Sequence, residues 1–120
     1  MMNTQEIVKT LLEYINQGKN VEAEEALYAE DVHSYEQNGH SAHGKEAIIA
    51  KTKAARDNVE QMHGGGVTET FVGADSFLLK FEIDATWKGG SRMQITEYGF
   101  YKVKDGKISE EYFFSEPMPA

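Results

Sequence analysis

The chain of 120 residues contains no cysteine, only two prolines, and far fewer basic than acidic side chains, twelve against twenty. Without cysteine there are no disulfides, thiolate nucleophiles or cysteine-ligated metals. The formal net charge of −8 sets the surface against phosphates, and no Lys/Arg cluster is dense enough to offset it. Nucleic acid and anionic membrane are therefore not expected partners. No apolar run approaches the ~18 residues of a membrane span. The first residues have neither the basic start nor the apolar stretch of a signal peptide, so the expected location is the cytoplasm. Both prolines, Pro117 and Pro119, fall in a short tail that reads as frayed.

The length fits one domain with one core, residues 1–120, ordered over about 4–115. Asn3 or Thr4 can cap a first helix that places Ile7, Val8, Leu11, Leu12 and Ile15 at helical spacing and stops at Gly18. A second helix is predicted over Val21–Tyr28, with Asp31 ending it in a local turn. A strand over Val32–Gln37 and a polar loop over Asn38–Gly44 follow, then a third helix over Lys45–Met62 anchored by Ile48 and Ile49. Gly64-Gly65-Gly66 has neither the following Lys-Ser/Thr nor the leading strand of a phosphate loop, and reads as a sharp turn or a bend in a sheet. Beyond it lies a meander: strands over Val67–Val72, Phe77–Trp87, Arg92–Val103 and Lys107–Ser115, the last pair joined by a tight Asp105-Gly106 hairpin. Helices first and antiparallel strands after them predict an α+β domain.

Side chains alternate across a strand. Leu79, Phe81, Ile83, Ala85 and Trp87 therefore share one face, which the next strand continues with Met93, Ile95, Glu97, Gly99, Tyr101 and Val103. Glu97 points where its neighbours are apolar, a costly place for a lone charge. That face is either a dry core with one well-paired glutamate or the wall of a pocket. If the hairpin is a type I turn with a glycine bulge, Gly99 faces Glu111 and Glu97 faces Phe113. Glu97, Tyr101, Glu111, Phe113 and Ser115 then line one concavity with Trp87 and Met93. If it is a two-residue type I′ turn, Glu110 turns inward instead of Glu111. Carboxylates sharing an apolar cavity cannot all ionise cheaply, so at least one is expected to stay protonated and able to donate a hydrogen bond.

Two local motifs carry a family resemblance. Tyr28-Ala-Glu-Asp-Val-His-Ser-Tyr-Glu36 followed by Gly44-Lys-Glu-Ala-Ile48, and Val103-Lys-Asp-Gly-Lys-Ile-Ser-Glu-Glu111, occur in the order and spacing of the nuclear transport factor 2-like superfamily. The chain resembles in particular its SnoaL-like and ketosteroid isomerase-like branches. The resemblance implies a curved, mostly antiparallel sheet wrapped by three N-terminal helices into a cone, with a small-molecule pocket at the open end and usually a homodimer. It also puts Glu36 where the isomerases hold the aspartate that moves a proton on carbon. The rest of that isomerase site does not carry over. Leu11 stands at the tyrosine position of the first helix, and Gly99, or Tyr98 if the register slips by one, stands at the position of the late carboxylic acid. One such donor is worth roughly 3–4 kcal/mol of transition-state stabilisation, so losing both disfavours steroid isomerisation.

Four histidines, His33, His40, His43 and His63, fit no standard zinc spacing, and no metal or other cofactor is expected. His33 alternates against Glu36 and should face away from the pocket, whereas His63, at a junction of helix and sheet, is a candidate for lining it. On the opposite sheet face Tyr98, Phe100, Tyr112 and Phe114 form an aromatic patch that a second copy of the chain would cover. The function expected is a pocket for a small apolar molecule carrying a polar group. If it is an enzyme, the chemistry is cofactor-free proton transfer next to a carbonyl, with Glu36 as base and Glu97 or Tyr101 donating to the oxygen. Alternatives are a non-catalytic binding or sensing domain and a dimerisation module with a filled core.

Overall fold

The structure, a computed structural model, describes residues 1–115. Its elements run α1 (Thr4–Asn16), α2 (Asn20–Leu27), β1 (Tyr28–Glu36), β2 (Ser41–His43), α3 (Lys45–Asp57), β3 (Val59–Val72), β4 (Ser76–Trp87), β5 (Arg92–Lys104) and β6 (Lys107–Ser115). The α+β class is as expected, with one correction. The first two strands precede α3, so the three helices do not all stand ahead of the sheet. The six strands form one open sheet in the order β2-β1-β6-β5-β4-β3, antiparallel throughout except where β1 runs parallel to β6. Among the described residues no helix is long and apolar enough to cross a membrane. The tail with Pro117 and Pro119 lies outside the described residues.

Local chemistry explains the element ends. Asn3 and Glu6 form a reciprocal capping box, the Asn3 side chain accepting from the Glu6 amide at 2.9 Å and the Glu6 carboxylate from the Asn3 amide at 3.0 Å. Beyond the end of α1, Gly18 takes a left-handed φ of 72° and its amide donates to Ile15. The second helix passes into β1 at Tyr28 with no intervening loop. Asp31 consequently lies exposed inside a strand and does not end the helix. The predicted 38–44 loop contains the short strand β2, paired to β1 at His33–His43 and Tyr35–Ser41.

The third helix ends at Asp57, five residues earlier than the expected Met62, because β3 begins at Val59 and runs for 14 residues straight through the glycine triplet. The triplet bends the sheet, one of its two expected roles. Register shifts fall on either side of it, and Gly65 and Gly66 have φ of 130° and 149°. A Cβ on Gly65 would come within 2.3 Å of the Glu82 carbonyl oxygen, so only glycine lets β3 lie this close to β4.

The last hairpin decides which residues face inward. Asp105 and Gly106 have φ of 52° and 75°, and Lys104 pairs with Lys107, which makes a two-residue type I′ turn. By itself that turn would send Glu111 outward. A bulge intervenes: Val103 pairs with Ile108 but Lys102 pairs with Glu110, leaving Ser109 unopposed. Parity is restored and Glu111 turns inward, opposite Tyr101. The expected partners are corrected, with Gly99 facing Phe113 and Glu97 facing Ser115. The inward set is as expected.

Ile7, Val8 and Leu11 of α1, Ala23 and Leu27 of α2 and Ile48 of α3 pack on the inward residues Tyr28, Val32, Phe77, Leu79, Tyr101 and Ile108. This core closes one end of the space between helices and sheet and leaves the other open. We expect Gly65→Ala to destabilise the fold by about 1–3 kcal/mol, read as a lower urea midpoint with an unchanged slope. The same substitution at Gly64, whose added Cβ would meet nothing within 4 Å, should cost markedly less.

Candidate functional site

Between the helices and the inward sheet face lies a cavity of about 480 Å³, within the range of small-molecule sites. Leu11 and Ile15 of α1 form one wall, and Phe81, Ile83 and Phe113 the opposing sheet wall; Met62 and the glycine triplet also line it. Into this apolar enclosure project Glu24 from α2, Thr52 from α3, Tyr28 from β1, and Glu97 and Tyr101 from β5. A second, shallower cleft at the ends of β1 and β6, beside the middle of β5, is lined by Glu36, Gln37, Asn38 and Ser115, and shares Glu97 and Phe113 with the main cavity.

Glu97 therefore stands between the two spaces. Burial raises its carboxyl above the usual range and the charge of Glu36 adds to that, opposed by Lys51 and by a hydrogen bond with Ser115. Tyr101 is buried, its ring stacked on Phe77 with centroids 4.6 Å apart and set edge-on to Phe113. Burial, then the neighbouring acids Glu111, Glu97 and Glu24, push its phenol well above the ordinary value, so it stays a hydroxyl. Gly99 makes room for that ring, since a Cβ there would lie 2.9 Å from the Tyr101 hydroxyl oxygen and 3.0 Å from Phe113.

Glu36 lies at the rim, half-buried, with one oxygen 3.5 Å from the Lys51 ammonium. It borders the outer cleft and does not line the main cavity. Glu111 faces inward and is 2% exposed, but it too lies behind the cavity wall. The Tyr28 hydroxyl donates to its Oε2 at 2.5 Å, and Ser34 supplies a second side-chain hydrogen bond. Lys51 Nζ donates to Ser34 Oγ at 2.8 Å, so a polar chain runs from Glu36 through Lys51 and Ser34 to Glu111 and Tyr28. Burial raises the Glu111 pKa, while these bonds and Lys51 oppose the rise.

Three other candidates lie elsewhere. Trp87 and Met93 share the inward face but sit near the far ends of β4 and β5, beyond the cavity lining. His63 is exposed and turned outward, its Nε2 2.7 Å from Thr86 Oγ1 and close to Asp84. A register shift between Met62 and Gly64 turns Met62 inward in its place. His33 lies beside His43 on the outer side of β1 and β2, and the described residues hold no group of three or more side chains able to bind a metal.

Sequence reasoning missed the helical side of the cavity. Glu24 is 8% exposed; its Oε2 accepts from Thr52 Oγ1 at 2.6 Å, and its Oε1 has no hydrogen-bond partner among the described residues. Burial pushes its carboxyl up to about 7, with the Thr52 bond and Lys51 opposing and Glu111 reinforcing. A signal existed: Glu24 falls three residues after Val21 and three before Leu27, on the buried stripe of its helix. Lys51 and Thr52 likewise follow Ile48 by three and four residues.

Three carboxyls, Glu24, Glu97 and Glu111, thus have native pKa values above the ordinary range, so the folded state binds protons more tightly than the unfolded chain. Stability contributed this way is complete below the unfolded carboxyl pKa and declines as pH rises through the native values. The melting temperature should therefore fall from pH 5 to pH 8. Glu24→Gln should remove the part of that fall centred near pH 7. The Asp84–Arg92 pair works in the opposite sense: its contribution is complete above the ordinary carboxyl value of 3.8 and is lost as pH falls from there through about 2, below the range of this test.

Comparison with known proteins agrees with this architecture. The model of the SnoaL-like domain matches residues 2–115. A Mesorhizobium loti protein described as a candidate SnoaL-like polyketide cyclase, with carbohydrate phosphatase as a second description, is 40% identical, with a TM-score of 0.87 over 94% of this chain and 99% of its own. A candidate SnoaL-like polyketide cyclase from Jannaschia sp. is 16% identical, with a TM-score of 0.81 over 95% of this chain and 87% of its own. A Catenulispora acidiphila protein with a ketosteroid isomerase-like fold is 18% identical, with a TM-score of 0.74 over 92% and 85%. No curated protein matches. A match over nearly the whole chain, joined to this arrangement of helices, sheet and cavity, means that the chain belongs to the SnoaL-like domain family.

Proposed function

We propose that the cavity binds a small, mostly apolar carbonyl compound and moves a proton on the carbon next to the carbonyl without a cofactor. The observation that carries this reading is the pairing, on one apolar wall, of a carboxyl held above its usual range with a neutral phenol, Glu97 and Tyr101. Ionised Glu97 takes the proton from the α-carbon. The bonding pair moves into the carbonyl, and the enolate oxygen accepts a hydrogen bond from the Tyr101 hydroxyl. Glu97 then returns the proton to the same carbon or to the far end of the conjugated system. Glu36, at the rim against Lys51, acts through its charge, which helps hold Glu97 nearer neutrality. Isomerisation, cyclisation and dehydration all begin with this step.

Non-catalytic binding in the same cavity is the second reading. It is favoured by Leu11 standing in the lining where the isomerases carry a tyrosine. A cavity of about 480 Å³ argues against a filled, inert module. We also propose that the chain pairs through the outer sheet face. There Tyr35 stacks on Tyr112 at 4.9 Å and Tyr98 on Phe114 at 5.8 Å, and Phe114 is 41% exposed.

Deuterium exchange at the α-carbon of aromatic ketones and lactones, followed by proton NMR in D₂O, tests the catalytic reading. Exchange should rise as Glu97 ionises, with a midpoint above the usual carboxylate range. Glu97→Gln should cost about 10²–10⁴-fold and Tyr101→Phe about 10²–10³-fold, while Glu36→Gln should shift the midpoint downward. Exchange that survives Glu97→Gln intact would leave only the binding reading. Sedimentation should show a dimer that Phe114→Glu converts to monomer.

A further inference from the structure

Among the described residues, the ionisable side chains that project into the cavity are acids or phenols: Glu24, Glu97, Tyr28 and Tyr101. Among the described residues no lysine, arginine or histidine lines it. An acidic lining is not by itself a binding site, but a second observation points to what the lining lacks. Glu24 is more than nine-tenths buried, Thr52 holds its Oε2 at 2.6 Å, and its Oε1 is left without a hydrogen-bond partner. A buried carboxyl with one oxygen committed and the other unmet carries a standing desolvation cost that a donor in the cavity would relieve.

We propose that the cavity selects ligands carrying a protonated amine, whose N–H donates to the Glu24 carboxyl once its side chain turns the enclosed Oε1 toward the cavity, while the apolar body rests against Phe81, Phe113 and Leu11. This names the ligand class of the cavity invoked above. It rests on the cavity being a binding site and not on turnover. An anion entering between Glu24 and Glu97 meets like charge, which Lys51, outside the lining, offsets only in part. A neutral hydroxyl can fill the missing hydrogen bond but leaves Glu24 free to stay protonated. An ammonium ionises Glu24 and pairs with it in a site of low dielectric, where charge-assisted hydrogen bonds are about twice as strong as neutral ones. The aromatic faces of Phe81 and Phe113 suit a cationic or aryl-bearing ligand equally, and the chain's net charge of −8 favours approach of cations.

The pairing has a pH signature. The groups that face Glu24 are Thr52 and Lys51 from α3, Glu111 from β6, Tyr28 from β1 and Tyr101 from β5. With its carboxyl raised to about 7, Glu24 must lose a proton when an ammonium binds at lower pH. Affinity should then rise with pH up to pH 7, by at most about tenfold per unit, and level off above it.

Isothermal titration of the full chain with phenethylamine, phenethyl alcohol and phenylacetate between pH 5.5 and 8 tests this. At pH 8 the amine should bind at least about tenfold more tightly than the alcohol, with phenylacetate weakest. Glu24→Gln should bring amine and alcohol to near equality and remove the rise toward pH 7. If the Glu24 variant does not fold, titration of the wild-type chain at pH 6 in two buffers of different ionisation enthalpy should still show net proton release with the amine and none with the alcohol. Binding of alcohol or phenylacetate as tight as that of the amine overturns the amine preference and leaves the cavity as a binding site. Absence of proton release, or a preference unchanged in Glu24→Gln, overturns the role of Glu24. If none of the three compounds binds, both this proposal and the reading of the cavity fall.

Discussion

The buried carboxyl of Glu111 is the constraint around which the rest is arranged. It sits on β6, receives the Tyr28 hydroxyl from one end of β1 and a Ser34 hydrogen bond from near the other, and reaches α3 through the Ser34–Lys51 bond. Two strands that run parallel, and so have no hairpin to set their alignment, are thereby held with Ser34 opposite Glu111. A buried polar network of this kind is unforgiving, because removing one member strands the others without water. What it secures is geometric: one helix is pinned over the sheet at a fixed distance, and the hollow beside it stays open.

The cavity uses the residues that this network leaves unspent. Glu111 and Tyr28 satisfy each other, whereas Tyr101, opposite Glu111 in the register, and Glu97, four residues earlier on β5, face the hollow. Glu24 occupies the helical wall in a similar condition, half satisfied by Thr52. The sheet wall thus holds a carboxyl and a hydroxyl in a fixed relation, and the helical wall holds a second acid with one oxygen unmet. Glu36, placed first by family resemblance, stands apart from all three at the rim. Its charge reaches Glu97 through space, opposed by Lys51.

Much of this was legible in the residues themselves. Strict alternation over Phe77–Trp87 and Arg92–Val103 located β4 and β5 to within a residue and put Glu97 and Tyr101 on the inner face, because a half-buried strand leaves no other reading. The end of α3 was hidden: the stretch from Asn58 to Met62 carries neither a helix stop nor a clear strand alternation, and the pairing with β4 that settles it is a tertiary fact. His63 was misplaced for the same reason, since bulges on either side of the glycines change which side chains turn inward. Glu24, Lys51 and Thr52 were overlooked because attention to apolar positions on the helices passes over the polar residues between them, although the helical period places those residues on the same stripe.

The unopposed Ser109 has a consequence for how such a chain can change. It is the one surplus residue that reconciles a two-residue turn with an inward Glu111. Losing that single codon would exchange the two sides of β6 beyond it, sending Glu110, Tyr112 and Phe114 into the interior and Glu111 and Phe113 out to solvent. Lineages can therefore replace side chains along this hairpin one at a time, but an insertion or deletion near it must be matched by a second one before either surface works again.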